Sequence, residues 1–163
     1  MITYIKGDAI KALKDGEITC LAHGCNNKGM MGAGIAKQIR EQFPAAYQSY
    51  YKFIHDLLED SRDNDECTYN SELLGLVDFY RDSLDRVIAN CFTQDLYGND
   101  KARYLNYEAL HDCLEQLYLY CQEYKLILGM PKIGAGLAGG NWKIIECMIN
   151  EVFYDIEVKV YEL

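Results

Sequence analysis

The sequence predicts a single α/β domain, residues 1–163, in which helices cover both faces of a central mixed sheet. Three observations predict this three-layer arrangement. Short apolar stretches of strand length alternate with longer amphipathic stretches. Two glycine-rich segments each follow an apolar stretch and precede an amphipathic one. Half of the 163 residues are hydrophobic, which is enough for one core, and neither the two prolines nor any low-complexity segment marks a linker.

The first half of the chain contains two predicted strands and three predicted helices. The strands are Ile2–Lys6 and Ile18–Ala22, and the helices are Ala9–Lys14, Gly32–Phe43 and Ala45–Leu58. The first strand alternates apolar and polar residues, whereas the second has the composition of a strand buried on both faces. In the second helix, Ile35, Ile39 and Phe43 recur every four residues. The charged stretch Glu59–Glu66 is predicted to be a surface loop.

The second half contains four predicted strands and two predicted helices. The strands are Leu73–Tyr80, Arg86–Phe92, Leu126–Met130 and Glu157–Tyr161, and the helices are Asn106–Tyr124 and Trp142–Phe153. A turn at Asp82-Ser83 joins the first two strands into a hairpin, which makes the sheet mixed. The other strands alternate with helices, as in parallel sheets.

Charge and cysteine content exclude several classes of function. The formal charge of −9 disfavours non-specific binding to nucleic acid or to an anionic membrane surface. No apolar run is long enough for a membrane-spanning helix. The seven cysteines form no CxxC pair and no zinc-ligand spacing, and Cys20, Cys91 and Cys147 are predicted to be core residues. We therefore expect free thiols, a cytoplasmic location, no metal and no cofactor.

The two glycine-rich segments are the most informative motifs. They are GCNNKGMMGAGIAKQI, Gly24–Ile39, and PKIGAGLAGG, Pro131–Gly140. A glycine-rich turn between a strand and a helix lets backbone N–H groups hold a phosphate, and two opposed turns suit a diphosphate. Neither segment matches the GxGxxG or the GxxxxGK[ST] fingerprint. Tight turns in close strand–helix packing remain the alternative explanation.

Five motifs in order resemble one family. GDAI, LAHGCN, MGAGIA, FTQDLYG and PKIGAGLAGGNW together resemble the macrodomain, an ADP-ribose-binding module. Within that family the chain is similar to the branch of ADP-ribose 1″-phosphate phosphatases, which is related to hydrolases that remove terminal ADP-ribose from glutamate. The resemblance extends from Ile2 to the last residues.

The resemblance implies the residues of a binding site. Asp8, with Gly7 and Ala9 beside it, would accept a hydrogen bond from the adenine amino group, although Asp8 also fits a helix N-cap. Asn26 would bind hydroxyls of the distal ribose. The diphosphate and distal ribose would be wrapped by Met31, Gly32, Ala33, Gly34 and Ile35 on one side and by Gly134, Ala135, Gly136 and Leu137 on the other. Cys25, Gln94, Pro131, Ile133 and Ala138 complete the implied site. Phe92–Tyr97 would lie along its rim near the adenosine half, and Trp142 and Tyr161 are expected in the core.

His23 is the predicted catalytic residue, because a histidine next to the ribose-binding loop can act as an acid or base near neutral pH. The alternative is a strand-end histidine that orients the loop by bonding to backbone. Two groups expected of the glutamate-specific branch look absent, since Ala138 occupies the expected aspartate position and Tyr80 the expected lysine position. His55 and His111 are predicted to be solvated or helix-packing residues.

Three functions stay open on this basis. The favoured one is an ADP-ribose 1″-phosphate phosphatase acting on a small-molecule ADP-ribose derivative, in which backbone donors of both loops assist His23. The second is an ADP-ribose-binding module without turnover. The third is a hydrolase that removes ADP-ribose from a modified macromolecule, for which this acidic chain shows no basic track for nucleic acid.

Overall fold

The computed structural model describes residues 1–60, 72–95 and 104–163. In chain order the described elements are β1 Ile2–Lys6, α1 Ala9–Asp15, β2 Cys20–Asn26, α2 Gly34–Gln42, α3 Pro44–Asp60, β3 Val77–Arg81, β4 Val87–Gln94, α4 Tyr107–Tyr124, β5 Leu128–Met130, α5 Trp142–Val152 and β6 Val158–Glu162. A surface loop was predicted over residues 59–66. Its first two residues belong to α3, and the others lie outside the described residues. Tyr97, predicted at the rim, also lies outside them.

The sheet is mixed, as predicted. Its strand order is β1-β6-β5-β2-β4-β3, and only the pairing of β3 with β4 is antiparallel. The strand β2 lies between β5 and β4, with Cys20 opposite both Leu128 and Val87. Because the other strands are parallel, the carboxyl ends of β1, β6, β5, β2 and β4 meet at one edge of the sheet, where ligands bind in such folds.

Helices cover both faces of the sheet. On one face, Leu114 of α4 and Ile149 of α5 are buried in the same cluster as Ala22. On the other, Leu13 of α1 and Ile39 of α2 are buried with Leu21. Since neighbouring residues of β2 point into opposite layers, the strand is apolar at every position up to Ala22. The α/β three-layer prediction is confirmed.

Several predicted strand ends are wrong. The strand β3 begins at Val77 and not at Leu73, whereas β2 and β4 extend further than expected at their carboxyl ends. The strand β2 continues to Asn26, because His23 and Cys25 pair with Asn90 and Phe92 of β4. The strand β4 in turn continues to Gln94. His23 and Cys25 are therefore strand residues and not loop residues.

Two side chains also lie elsewhere than predicted. Phe92 is fully buried and stacks on Tyr50 and Phe53, with ring centroids 5.5 Å apart in each pair, so it does not form a rim. Cys147 is exposed and not in the core, because it lies midway between the buried Ile145 and Ile149 of α5. No helix in the described ranges combines the length and apolar composition that a membrane crossing requires.

Candidate functional site

A cleft of about 700 Å³ lies over the carboxyl ends of the parallel strands. Most residues of the predicted binding site line it: Gly7, Asp8, Ala9, Cys25, Asn26, Gly32, Ala33, Gly34, Ile35, Gln94, Pro131, Ile133, Gly134, Gly136, Leu137 and Ala138. Three predicted residues do not. Met31 is buried in a cluster with Tyr50, Ala135 packs against the main core, and His23 is buried within the sheet.

Sequence reasoning missed several residues of the lining. They are Gly24, Met30, Ala36, Gln38, Lys132, Tyr161 and Leu163. A signal existed for two of them. Lys132 lies between two predicted lining residues, and Tyr161 is near the carboxyl end of a parallel strand, where side chains reach the cleft. Tyr161 was expected in the core. It is buried with α1 and α2, and it also lines the cleft.

Asp8 closes one end of the cleft. It is the N-cap residue of α1, and its Oδ1 accepts hydrogen bonds from the backbone N–H groups of Ile10 at 2.8 Å and Lys11 at 3.3 Å. These bonds fix the orientation of the carboxylate. Among the described residues Oδ2 has no hydrogen bond, so it remains available to a donor on a ligand.

The first glycine loop, residues 27–33, is held by side chains. Asn26 Oδ1 accepts from the N–H groups of Lys28 at 3.0 Å and Met30 at 3.3 Å, and Asn26 Nδ2 donates to the Met30 carbonyl at 2.6 Å. The Tyr50 hydroxyl donates to the Asn26 carbonyl at 2.7 Å and accepts from the Gly29 N–H at 3.1 Å. Asn26 therefore shapes the loop with the amide group that the sequence assigned to ribose binding.

The helix that follows this loop begins without a polar cap. Its N-cap residue is Ala33, which makes no side-chain cap hydrogen bond, and Gly34 adopts a left-handed φ of 57°. The first N–H groups of a helix have no partner within the helix, and they carry a partial positive charge. Because Ala33, Gly34 and Ile35 line the cleft, these groups form an anion-binding position on its wall.

The second glycine loop, residues 131–141, is held mainly by backbone hydrogen bonds, including those that the Ala138 carbonyl accepts from the N–H groups of Tyr104 and Leu105 at 2.8 and 3.0 Å. The N–H groups of Ala135, Gly139 and Gly140 donate to the carbonyls of Lys132, Gly136 and Gly134, at 3.1, 3.0 and 2.8 Å. Gly136 faces open space, since a Cβ built there would meet no atom within 4 Å. The loop therefore presents an uncovered backbone to the cleft opposite α2.

His23 does not line the cleft. Its ring is fully buried, with Nε2 2.6 Å from Asn90 Oδ1. Asn90 Nδ2 donates to Asp78 Oδ2 and to the Ala46 carbonyl, so Nε2 carries the proton in this hydrogen-bond arrangement. Burial lowers the pKa of His23 to about 4. Catalysis by His23 stays a prediction, to which this buried position lends no support. The hydrogen-bond partner of His23 is the Asn90 side chain and not backbone.

The titratable side chains in the described lining are those of Asp8, Cys25, Lys132 and Tyr161. Lys132 Nζ lies 2.5 Å from Glu162 Oε1, and that contact raises the pKa of Lys132. The Tyr161 hydroxyl is buried without a hydrogen-bond partner in the described structure, and burial raises its pKa. Burial also raises the pKa of the Cys25 thiol well above its ordinary value, so this cysteine is not a thiolate nucleophile.

The two other histidines lie outside the cleft. His55 is exposed on α3, where its ring contacts Tyr51. His111 lies on α4 beside Asp112, and its Nδ1 is 3.7 Å from Glu115 Oε1. These three α4 residues could together hold a metal ion, but the two carboxylates are exposed and none of the three lines the cleft.

Comparisons with known proteins agree with this description over the whole chain. No family model matches the sequence. The chain is 30% identical to the ADP-ribose 1″-phosphate phosphatase of Scheffersomyces stipitis, covering 99% of both proteins. It is 29% identical to the human ADP-ribose glycohydrolase OARD1, covering 99% of this chain and 91% of that protein. Its structure matches the macrodomain of Thermus aquaticus DarG with a TM-score of 0.74 and 25% identity, over 100% and 99% of the two chains.

Proposed function

The chain belongs to the macrodomain family, and on that premise we propose that it binds ADP-ribose-type ligands and hydrolyses ADP-ribose 1″-phosphate to ADP-ribose and phosphate. The observation that carries the proposal is the single cleft that both glycine loops flank. It runs from the end of β1 to the end of β4, which is four strand spacings, or about 19 Å. That length suits two nucleoside-like ends joined by a diphosphate.

The ligand's orientation follows from the two ends of the cleft. Adenine lies at the Asp8 end, where the free carboxylate oxygen accepts from its amino group. The diphosphate lies between the N-terminus of α2 and the backbone around Gly136, and the distal ribose lies beside Asn26 and Gln94. Support comes from the lining itself, in which these groups occur in this order along the edge of the sheet.

Hydrolysis adds water to the terminal phosphorus and breaks the P–O bond to the ribose. Catalysis of phosphoryl transfer depends mainly on positioning and on stabilising charge on the phosphoryl oxygens. Backbone N–H groups of the glycine loops supply such stabilisation without a nucleophilic side chain. The proposal therefore does not depend on His23.

Binding without turnover is the second candidate. It is favoured by the burial of His23 and by the lack of a paired acid and base among the described lining residues. Removal of ADP-ribose from a modified macromolecule, suggested by the human glycohydrolase, has less support in this chain. Ala138 lines the cleft with only a methyl group, and Tyr80 packs against the cluster of α1 and α2 outside the cleft. We also propose a cytoplasmic location, supported by six free cysteines in the described ranges.

Phosphorus-31 NMR of ADP-ribose 1″-phosphate tests the proposal. Wild-type protein is expected to release free phosphate, whereas Gly136→Val should neither bind nor release, because its side chain enters the space left for the diphosphate. Ala45→Val introduces the same isopropyl side chain at an exposed position of α3 and serves as the control.

Each spectrum separates the candidates. Diphosphate signals that broaden without release of phosphate would identify a binding module. Unchanged signals with the wild type would refute ADP-ribose binding. Normal turnover by Gly136→Val would refute the position assigned to the diphosphate.

A further inference from the structure

We propose that Lys28 recognises the terminal phosphate of the ligand, by exchanging its ion pair with Asp95 for one with the 1″-phosphate. The proposal rests on the function proposed above and adds to it the residue that separates a phosphorylated from an unphosphorylated ligand. The argument depends on the position of this pair, on how each partner is held, and on the charge of the surrounding cleft.

The pair lies at the end of the cleft opposite Asp8. Lys28 is in the first glycine loop between Asn26 and Met30, which both line the cleft, and its N–H donates to Asn26 Oδ1. Asp95 directly follows Gln94, which lines the cleft at the end of β4. Neither Lys28 nor Asp95 lines the cleft itself; Lys28 Nζ and Asp95 Oδ1 meet beside it, where the first glycine loop approaches β4.

The two partners are held to different degrees. Asp95 Oδ1 accepts a hydrogen bond of 2.9 Å from Asn27 Nδ2, and Asn27 is fully buried, so the carboxylate is fixed independently of the lysine. The lysine contact is long, at 3.7 Å, and the side chains of Lys28 and Asp95 are 30% and 55% exposed. Such an open pair contributes little stability, so the ammonium group can move to a stronger partner.

A terminal phosphate is that stronger partner. It carries roughly −1.5 to −2 charges at neutral pH, against −1 for a carboxylate. Lys132, the cation within the described lining, is already paired with Glu162 at 2.5 Å. The chain as a whole carries a formal charge of −9, so a further anion at this end needs a local cation. Lys28 attracts the phosphate, whereas Asp95 repels it and competes for the lysine.

The opposite signs of the two residues give opposite predictions. Lys28→Met should weaken binding of ADP-ribose 1″-phosphate about tenfold or more, as for loss of a charge-assisted contact. Asp95→Asn keeps an oxygen for Asn27 and should tighten binding of the same ligand severalfold. Neither change should alter binding of ADP-ribose by more than about twofold, since neither side chain lines the cleft in which that ligand is proposed to lie.

Rapid-mixing displacement of a fluorescent ADP-ribose, read before turnover, measures both affinities. Lys37→Met is the matched control, because Lys37 is an exposed lysine of α2 that, like Lys28, is close to the cleft without lining it. If Lys28→Met leaves the preference for the phosphorylated ligand unchanged, or weakens both ligands equally, the proposal for Lys28 is refuted. Failure of the wild type to bind ADP-ribose would instead refute the proposed function.

Discussion

The two glycine loops have similar compositions, but they are stabilised in different ways. Side chains from the neighbouring elements hold the first loop, chiefly Asn26 and Tyr50. The second loop is held mainly by backbone hydrogen bonds, within the loop and from Leu105, and by packing against Leu105 and Ile145. Glycine accordingly serves two purposes. Gly32 and Gly136 border open space, since a Cβ there would meet nothing within 4 Å, whereas Gly140 is required by the packing of the loop.

The strongest test of this difference is Gly140→Ala. The added Cβ would lie 2.6 Å from the Gly134 carbonyl oxygen and would also overlap the Leu105 side chain, so the loop backbone must shift. We expect a loss of about 3 kcal/mol or more in the free energy of unfolding, the upper part of the range for overpacking. Urea denaturation measures it, with Gly136→Ala as control, for which the expected change is within about 0.5 kcal/mol. Equal stabilities of the two variants would show that packing does not require Gly140.

The next largest expected effect is a pH dependence of the free energy of unfolding, which comes from the strand before the first loop. The first loop continues from β2, which contains the buried His23. The backbone hydrogen bonds of the second loop, in contrast, involve no titratable group. The folded pKa of His23 is about 4 and its ordinary value 6.5, so the unfolded chain binds the proton more readily. Stability from this residue is complete above about pH 6.5 and is lost as the pH falls towards 4, by up to about 3 kcal/mol.

Urea denaturation of the wild type and of His23→Gln across this pH range measures the effect. Burial raises the pKa of Asp78, which contributes with the opposite sign at the acidic end, so the difference between the two proteins isolates His23. The variant should show the flatter pH dependence. If the free energies of unfolding of the wild type and of His23→Gln changed equally with pH, His23 would not be held neutral in the folded protein.

The third test is Tyr50→Phe, whose expected effect on the free energy of unfolding is smaller than the two above. The variant keeps the ring stacked on Phe92 but leaves the Asn26 carbonyl and the Gly29 N–H without their partner. We expect a loss of about 2 kcal/mol in the free energy of unfolding and weaker binding of ADP-ribose. Tyr47→Phe removes a longer bond of 3.3 Å to the Gly29 carbonyl and should cost less than about 1 kcal/mol. A wild-type stability for Tyr50→Phe would contradict the role assigned to side chains in the first loop.

Local patterns were sufficient to predict the fold but not the ends of the strands. Alternation and helical periodicity are local properties, and they identified the α/β architecture. The ends of β2 and β4 depend on pairing between residues far apart in sequence, which no local pattern contains. The misplaced ends changed which side chains were expected at the cleft: His23 proved buried under Asn90, and Phe92 proved buried between two rings. Cys147 is a different case, because the helical periodicity of α5 is a local pattern and would have been enough to predict that Cys147 lies on the exposed face.

The hydrogen bonds of Asn26 have a consequence for the kinetics of binding. Because its amide fixes Lys28 and Met30 in the folded protein, the first glycine loop loses its conformational entropy during folding and not when a ligand arrives. Capture of a ligand then needs no slow ordering step, and its rate is set by diffusion and orientation. Differences in affinity among ligands of this cleft should therefore appear as differences in residence time.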